Sequence, residues 1–416
     1  MREIKFKVLN KKYSNLMNTL GYTFGMIIFS LSSLFLLLFI NRISGSFVAG
    51  IFSIGWAVGQ QMITIGLFGT RNIQVSDINN NYKFGSFFLF RIFSVILMIL
   101  SCYIYIYILG LSKEQKIISI LLTILMSGES FADVFAGYFQ RTNRLAISGI
   151  SYALRILFYD IICISVLFIT HSLVSSIITS VIFSYLWLIM IDLNLILSEE
   201  NKIFVCDINS LKKLFFVSFS IFLSSFLMNY IVNIPKNAIS FFLSNEDQAY
   251  YNVLSTPSFV ISLFAAVFLV PLYTNIAILL QENRKQFKVT VVKITALLGI
   301  FTIIICLVGE SIGIPLMNIL FAVNLADYRV EFALLLFSGG FSSLATFYIY
   351  ILTILSSSKV LYWVYGVISI IATMLGNYFV KHYHLFGATL IYFIATLAIA
   401  LSLLVSIIIS LKKEAI

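Results

Sequence analysis

The sequence predicts an all-α polytopic membrane protein with about twelve transmembrane helices, and three observations lead there. The chain of 416 residues is 60% hydrophobic and 11% charged. Its mean hydropathy is +1.03. Mostly apolar runs of roughly eighteen residues or more recur along its whole length, each enough to cross a hydrocarbon core of about 30 Å at about 1.5 Å per helical residue. A soluble globule, with about 45–50% apolar and about 25% charged residues, is excluded. A β-barrel would alternate polar and apolar residues in segments of about ten, whereas these runs are continuous and about twice as long. Helix is therefore the form that satisfies their backbone in lipid.

Apolar runs between charged or turn-rich breaks place the spans at about 18–40, 47–69, 86–109, 117–139, 147–170, 172–193, 214–243, 254–279, 289–311, 328–355, 360–380 and 386–410. The basic N-terminus, MREIKFKVLNKKYSNLMNTL, leads into the first run without an A-x-A-like cleavage site and reads as a retained anchor, not a signal peptide. The longest inner connection, 194–213, divides the chain into an N-terminal lobe, 1–200, and a C-terminal lobe, 201–416, of six spans each. Both lobes start from the same side, as expected of parallel repeats related by an axis along the membrane normal, although only hydropathy supports the repeat.

With both termini in the cytoplasm, nineteen of the 27 Lys and Arg residues lie in inner segments, and six lie outside: Arg42, Lys113, Lys116, Lys236, Arg329 and Lys381. That imbalance sets the orientation. It also assigns the net charge of +10 to anionic membrane lipids at the inner leaflet, with no nucleic-acid partner required.

Catalytic and metal signatures are absent from the sequence. Cys102, Cys163, Cys206 and Cys306 lie far apart and read as packing residues. His382 and His384 fall in a short loop with no third ligand nearby, and His171 stands apart, so no metal and no other cofactor is expected. No G-x-S-x-G, H-E-x-x-H or glycine-rich phosphate loop occurs. The longest outer loops, about 244–253 and 312–327, are too short for a membrane glycan polymerase or ligase, so the protein is read as a non-enzyme.

The informative residues are charges inside the apolar runs, each of which costs about 2.5–3.5 kcal/mol at mid-membrane unless paired or hydrated. Glu129 and Asp133 sit one helical turn apart in the fourth span, and Arg155 and Asp160 lie in the fifth. Counted from the inner ends, Glu129 and Arg155 reach similar depths of about 15 Å, which predicts an interhelical ion pair clasping the first lobe. Arg91 lies about two turns into the third span, and Arg42 and Arg71 end the first and second, where each could snorkel. Basic residues thus recur without evident acidic partners, and a hydrated, positively charged cavity between the lobes is expected to attract a phosphate or pyrophosphate. Its candidate cations are Lys236, Arg42, Arg71, Arg91 and Arg155. Glu129, Asp133 and Asp160 are candidates either for ion pairs or for coupling to H+ or Na+.

In NIPKNAIS, 233–240, Pro235 removes the amide that would bond the Ile231 carbonyl. A kink is expected there, with Asn229, Asn233 and Asn237 serving the freed groups and Lys236 turned into the cavity. Tyr138, Tyr230 and Tyr348 are candidates for stacking on sugars.

Several stretches in order resemble the bacterial polysaccharide flippases of the MOP exporter superfamily. They are GTRNIQVSD (69–77), ADVFAGYFQRTNRLAISGISYALR (132–155), NIPKNAIS and VNLADYRVEFALLLFSGG (323–340). The resemblance implies two six-helix bundles of MATE-like fold around a central cavity. It implies alternating-access transport of undecaprenyl-pyrophosphate-linked oligosaccharide, O-antigen or capsule repeat units, from the cytoplasmic to the outer leaflet of a bacterial inner membrane. A glycan polymerase or other assembly proteins would be partners. It further implies that Lys236 occupies a commonly basic, cavity-facing position and that Arg71 belongs to a recurrent cytoplasmic motif. Lys236 stands where arginine is frequent, which keeps the charge and loses the bidentate fork. The alternative is a drug or cation antiporter of the same superfamily, which would need an acidic cavity.

Overall fold

The computed structural model describes residues 15–77, 82–198, 207–355, 357 and 359–413. The basic N-terminal residues up to Lys12, together with Lys202 and Cys206, lie outside them. Among the described residues every regular element is helical, and nine helices are long and apolar enough to cross a membrane.

The first helix, α1 (Asn15–Leu67), has 53 residues. That is about 80 Å of helix, too long for one crossing. It breaks at Gly45, whose φ of 82° is a left-handed value that glycine adopts without penalty. The two arms correspond to the first two expected spans. A left-handed pair, Phe68 and Gly69, then turns the chain into the short helix α2 (Thr70–Ser76). Three crossings follow: α3 (Phe84–Ile108), α4 (Lys113–Arg141) and α5 (Leu145–Thr170). The next helix, α6 (Leu173–Trp187), continues through a π turn, Leu188–Leu193, into a last turn, Asn194–Leu197.

The later helices are α7 (Ile208–Phe242), α8 (Asn245–Glu282), α9 (Arg284–Val308), α10 (Arg329–Ile354) and α11 (Val360–Lys413). After Val308, α9 runs through a π turn, Gly309–Gly313, into Ile314–Phe321, so much of the expected outer loop 312–327 is helix. The long α11 breaks at His384, with φ 51°. The expected loop around His382 and His384 is therefore a break within one element.

One other expectation is corrected. The start of α7 at Ile208 takes the end of the 194–213 connection into helix. Pro235 lies within α7, which is helical on both sides of it. Proline removes one backbone bond, but Ile231, Ile234, Ala238 and Ile239 around it are buried, and that packing offsets the loss. The Asn229 side-chain amide donates to the Gln60 carbonyl of α1.

The chain forms two compact units, Met1–Asn229 and Tyr230–Ile416. The boundary falls inside α7, beyond the 194–213 connection. The first part of α7 is held to the first unit by the Phe222 ring stacked on Phe68 at 4.5 Å and by the Gln61 amide donating to the Phe226 carbonyl at 3.2 Å.

Within the first unit, α1 packs on α4 and α5. The α1–α5 crossing is lined by Gly21, Gly25 and Gly149, whose missing side chains let the backbones touch. Near the N-terminus of α1 Asn18 ties the α4–α5 turn. Its Nδ2 donates to the Asn143 carbonyl and its Oδ1 accepts from the Ala146 amide, both at 2.9 Å. Asn18→Ala is expected to lower stability by about 1–2 kcal/mol, read as an earlier thermal unfolding of the detergent-solubilised protein. Within the second unit, α10 packs against α8, α9 and α11.

Candidate functional site

The centre of the first unit is α4, whose N-terminus is fixed by a capping box between Ser112 and Gln115. One turn separates Glu129 from Asp133 on this helix, and each carboxylate meets a different set of partners.

Asp133 holds two guanidinium groups. Its Oδ1 lies 3.2 Å from Arg71 Nη1 and its Oδ2 lies 2.9 Å from Arg91 Nη2. Arg71 reaches it because the Phe68–Gly69 turn sets α2 against α4. Arg71 also donates through Nε and Nη2 to Gln140 Oε1, at 3.2 and 2.8 Å, and to the Tyr22 hydroxyl, with its guanidinium 4.3 Å from the Tyr22 ring centroid. Arg91, from α3, is fully buried and donates to the Gly66 carbonyl and, at 3.0 Å, to Thr70 Oγ1.

The expectation that these cations lack acidic partners and snorkel to the interface is thus corrected for Arg71 and Arg91. Both face into the bundle, where burial of a guanidinium demands an anion and Asp133 supplies it. Two cations on one carboxylate leave a net positive cluster. The Arg71 and Asp133 side chains each keep 16% exposure, so one edge is reachable.

The second set is the expected interhelical pair. Glu129 Oε2 meets Arg155 Nη2 at 2.5 Å, and both side chains are buried. Among the described residues Glu129 Oε1 meets no hydrogen-bond donor within bonding geometry.

The third set is acidic. Ser32 donates to Asp160 Oδ1 at 2.8 Å, and Ser151 donates to Asp192 Oδ1 at 2.5 Å while accepting from Trp187 Nε1 at 2.9 Å. Among the described residues neither Asp160 nor Asp192 makes an ion pair. Asp192 was missed by the sequence reading. The available signal was an acid within the apolar run LWLIMIDLN, but its inward direction depends on the π turn, which the residues do not announce.

The remaining candidates lie apart. Arg42 is exposed near the Gly45 break of α1. Lys236 sits half-buried in the second unit between the buried Pro235 and Asn237, and it makes no hydrogen bond or ion pair among the described residues. Of the tyrosines expected to stack on sugars, Tyr348 is 2% exposed and closed off, so that expectation is corrected. Tyr138 packs edge-on to Phe84, and the Tyr230 hydroxyl accepts from Thr373 Oγ1 at 3.2 Å. No group of three His, Cys, Asp or Glu suited to a metal occurs among the described residues.

No family model matches the chain, and no curated protein matches its sequence. Solved structures do. An inward-facing multidrug resistance MATE family transporter of the MOP superfamily superposes with a TM-score of 0.68 at 11% identity, over 96% of this chain and 100% of that one. The lipid II flippase MurJ in an inward closed conformation gives 0.68 at 14%, over 96% and 90%. The eukaryotic MATE transporter AtDTX14 gives 0.63 at 14%, over 96% and 98%. At these identities the likeness is one of fold: the chain has the all-α, multi-pass architecture of MOP superfamily transporters.

Proposed function

We propose that this multi-pass membrane protein is a flippase for polyprenyl-pyrophosphate-linked oligosaccharide, moving O-antigen or capsule repeat units from the cytoplasmic to the outer leaflet by alternating access. The observation that carries this reading is the charge balance of its intramembrane cations. In the first unit Arg71 and Arg91 share one carboxylate, and in the second unit Lys236 has none among the described residues. A pyrophosphate offers the missing negative charge, and charge-assisted bonds from a reachable guanidinium suit its oxygens. The sugars would travel in the hydrated interior and the prenyl tail would stay in lipid. Support comes also from the sequence motifs and from a lipid II flippase among the structures sharing the fold. The host membrane is read as a bacterial inner membrane with both termini in the cytoplasm.

A second reading, a drug or cation antiporter, is favoured by one observation: Asp160 and Asp192 are buried with hydroxyl partners only. In the flippase reading the same acids, with Glu129, are candidates for H+ or Na+ coupling.

Gene deletion followed by analysis of lipid-linked glycan on each leaflet separates the two. Accumulation facing the cytoplasm is the flippase result, whereas unchanged glycan with altered drug tolerance is the antiporter result. For the headgroup, Lys236→Ala is expected to reduce flipping about 10-fold or more and Lys236→Arg to retain most of it, since a charge-assisted bond contributes about 1.5–3 kcal/mol. Full complementation by both variants at low expression would remove Lys236 from the site.

A further inference from the structure

We propose that Gln140 sets the affinity of the first unit's arginine cluster for a phosphate or pyrophosphate group, by holding the Nε–Nη2 edge of Arg71 until phosphate oxygens displace it, a role that rests on the headgroup reading above. Both donors of that edge end on one neutral oxygen, with Arg71 Nε and Nη2 reaching Gln140 Oε1 at 3.2 and 2.8 Å. A guanidinium takes a phosphate on such an edge, through two parallel bonds. Its other end is committed, since Nη1 donates to Asp133 Oδ1 at 3.2 Å and to the Tyr22 hydroxyl.

The placement of Arg71 does not depend on Gln140. Helix α2 is seated on α4 at Gly137, between Asp133 and Gln140, where a Cβ would collide with the Gln74 amide. Gln74 Nε2 also donates to the Val134 carbonyl at 3.1 Å. The α2 backbone is thus anchored about one turn beyond Arg71, and Asp133 and Tyr22 orient the guanidinium. The bonds to Gln140 are surplus to that positioning. Gln140 itself is half-buried, on the last turn of α4, with room to leave the edge.

Charge favours the exchange. Two guanidinium groups on one carboxylate leave the cluster net positive, and an amide oxygen brings it only a dipole. A phosphate brings one oxygen for each N–H together with formal negative charge. It binds only where Gln140 has left the edge, so the apparent affinity is lowered by the fraction of molecules in which the edge is open.

The test is calorimetric titration of the full chain in phosphatidylcholine nanodiscs with inorganic pyrophosphate and with farnesyl pyrophosphate. Tighter binding of the farnesyl ester marks a lipid headgroup as the source of the group, and equal binding marks free pyrophosphate. With either probe, Gln140→Ala should bind about 3- to 10-fold more tightly than the parent, and Gln140→Glu, which supplies a resident anion, about 10-fold more weakly or beyond. Gln140→Leu replaces the alanine variant if that one does not fold. In an Arg71→Met background the alanine change should leave affinity unaltered, and thermal unfolding of Gln140→Ala should come no later than that of the parent, so that affinity and stability do not rise together. If Arg71→Met weakens binding while Gln140→Ala leaves it unchanged or weakens it, the role of Gln140 is overturned and the headgroup reading stands. If the parent binds neither probe, or Arg71→Met binds as the parent does, headgroup binding at Arg71 falls and the role of Gln140 with it.

Discussion

Asp133→Ala is expected to destabilise the protein by about 3–5 kcal/mol, because it leaves a guanidinium buried without its anion. The two arginines it holds respond differently. Arg71 keeps Gln140 and Tyr22 as partners and has an exposed edge, whereas Arg91 is fully buried and retains only the neutral oxygens of Gly66 and Thr70. Arg91 should therefore carry most of the loss. Adding Arg91→Met to Asp133→Ala should recover a large part of the stability, and adding Arg71→Met should recover little. Chemical or thermal unfolding in detergent reads all three. Asp133→Ala within about 1 kcal/mol of the parent, or equal rescue by both second changes, would contradict the pairing.

Gly149→Leu is expected to be comparably severe, through sterics instead of charge. A Cβ at this position would stand 2.4 Å from the Gly21 carbonyl oxygen and 2.5 Å from the Tyr22 Cα, and neither is a flexible side-chain tip that can yield. Overpacking ordinarily costs about 1–3 kcal/mol and occasionally more, and backbone-on-backbone contact belongs at the upper end. Separation of α1 from α5 would also withdraw the Tyr22 hydroxyl from Arg71, so the proposed flipping should fall with stability. Gly299→Ala provides the contrast. It lies within α9 with nothing near its position, and helix propensity predicts a neutral change or a gain of up to about 1 kcal/mol. A stable, active Gly149→Leu protein would rule out the close crossing.

The positions of the helices were legible because lipid imposes length and hydropathy on every crossing, and the fold class follows from that constraint. The Glu129–Arg155 pair was legible for a related reason: depth can be counted along two neighbouring helices. The partners of Asp133 were not. Arg71 reaches Asp133 only after the left-handed Phe68–Gly69 turn, and Arg91 only because its face of α3 points inward, and neither direction is written in hydropathy. Asp192 escaped for the same reason, at a π turn.

The sharing of α7 between the two units bears on where this gene could be divided. A first fragment ending at Leu197 would leave the Phe68 ring and the Gln60 carbonyl without the cover that Phe222 and Asn229 provide. One ending at Asn229 would carry that cover with it. A two-piece expression system cut in the 194–213 connection should accordingly assemble only when the second piece restores the Phe222 and Asn229 contacts, whereas a cut after Asn229 would leave charged termini inside the apolar span of α7.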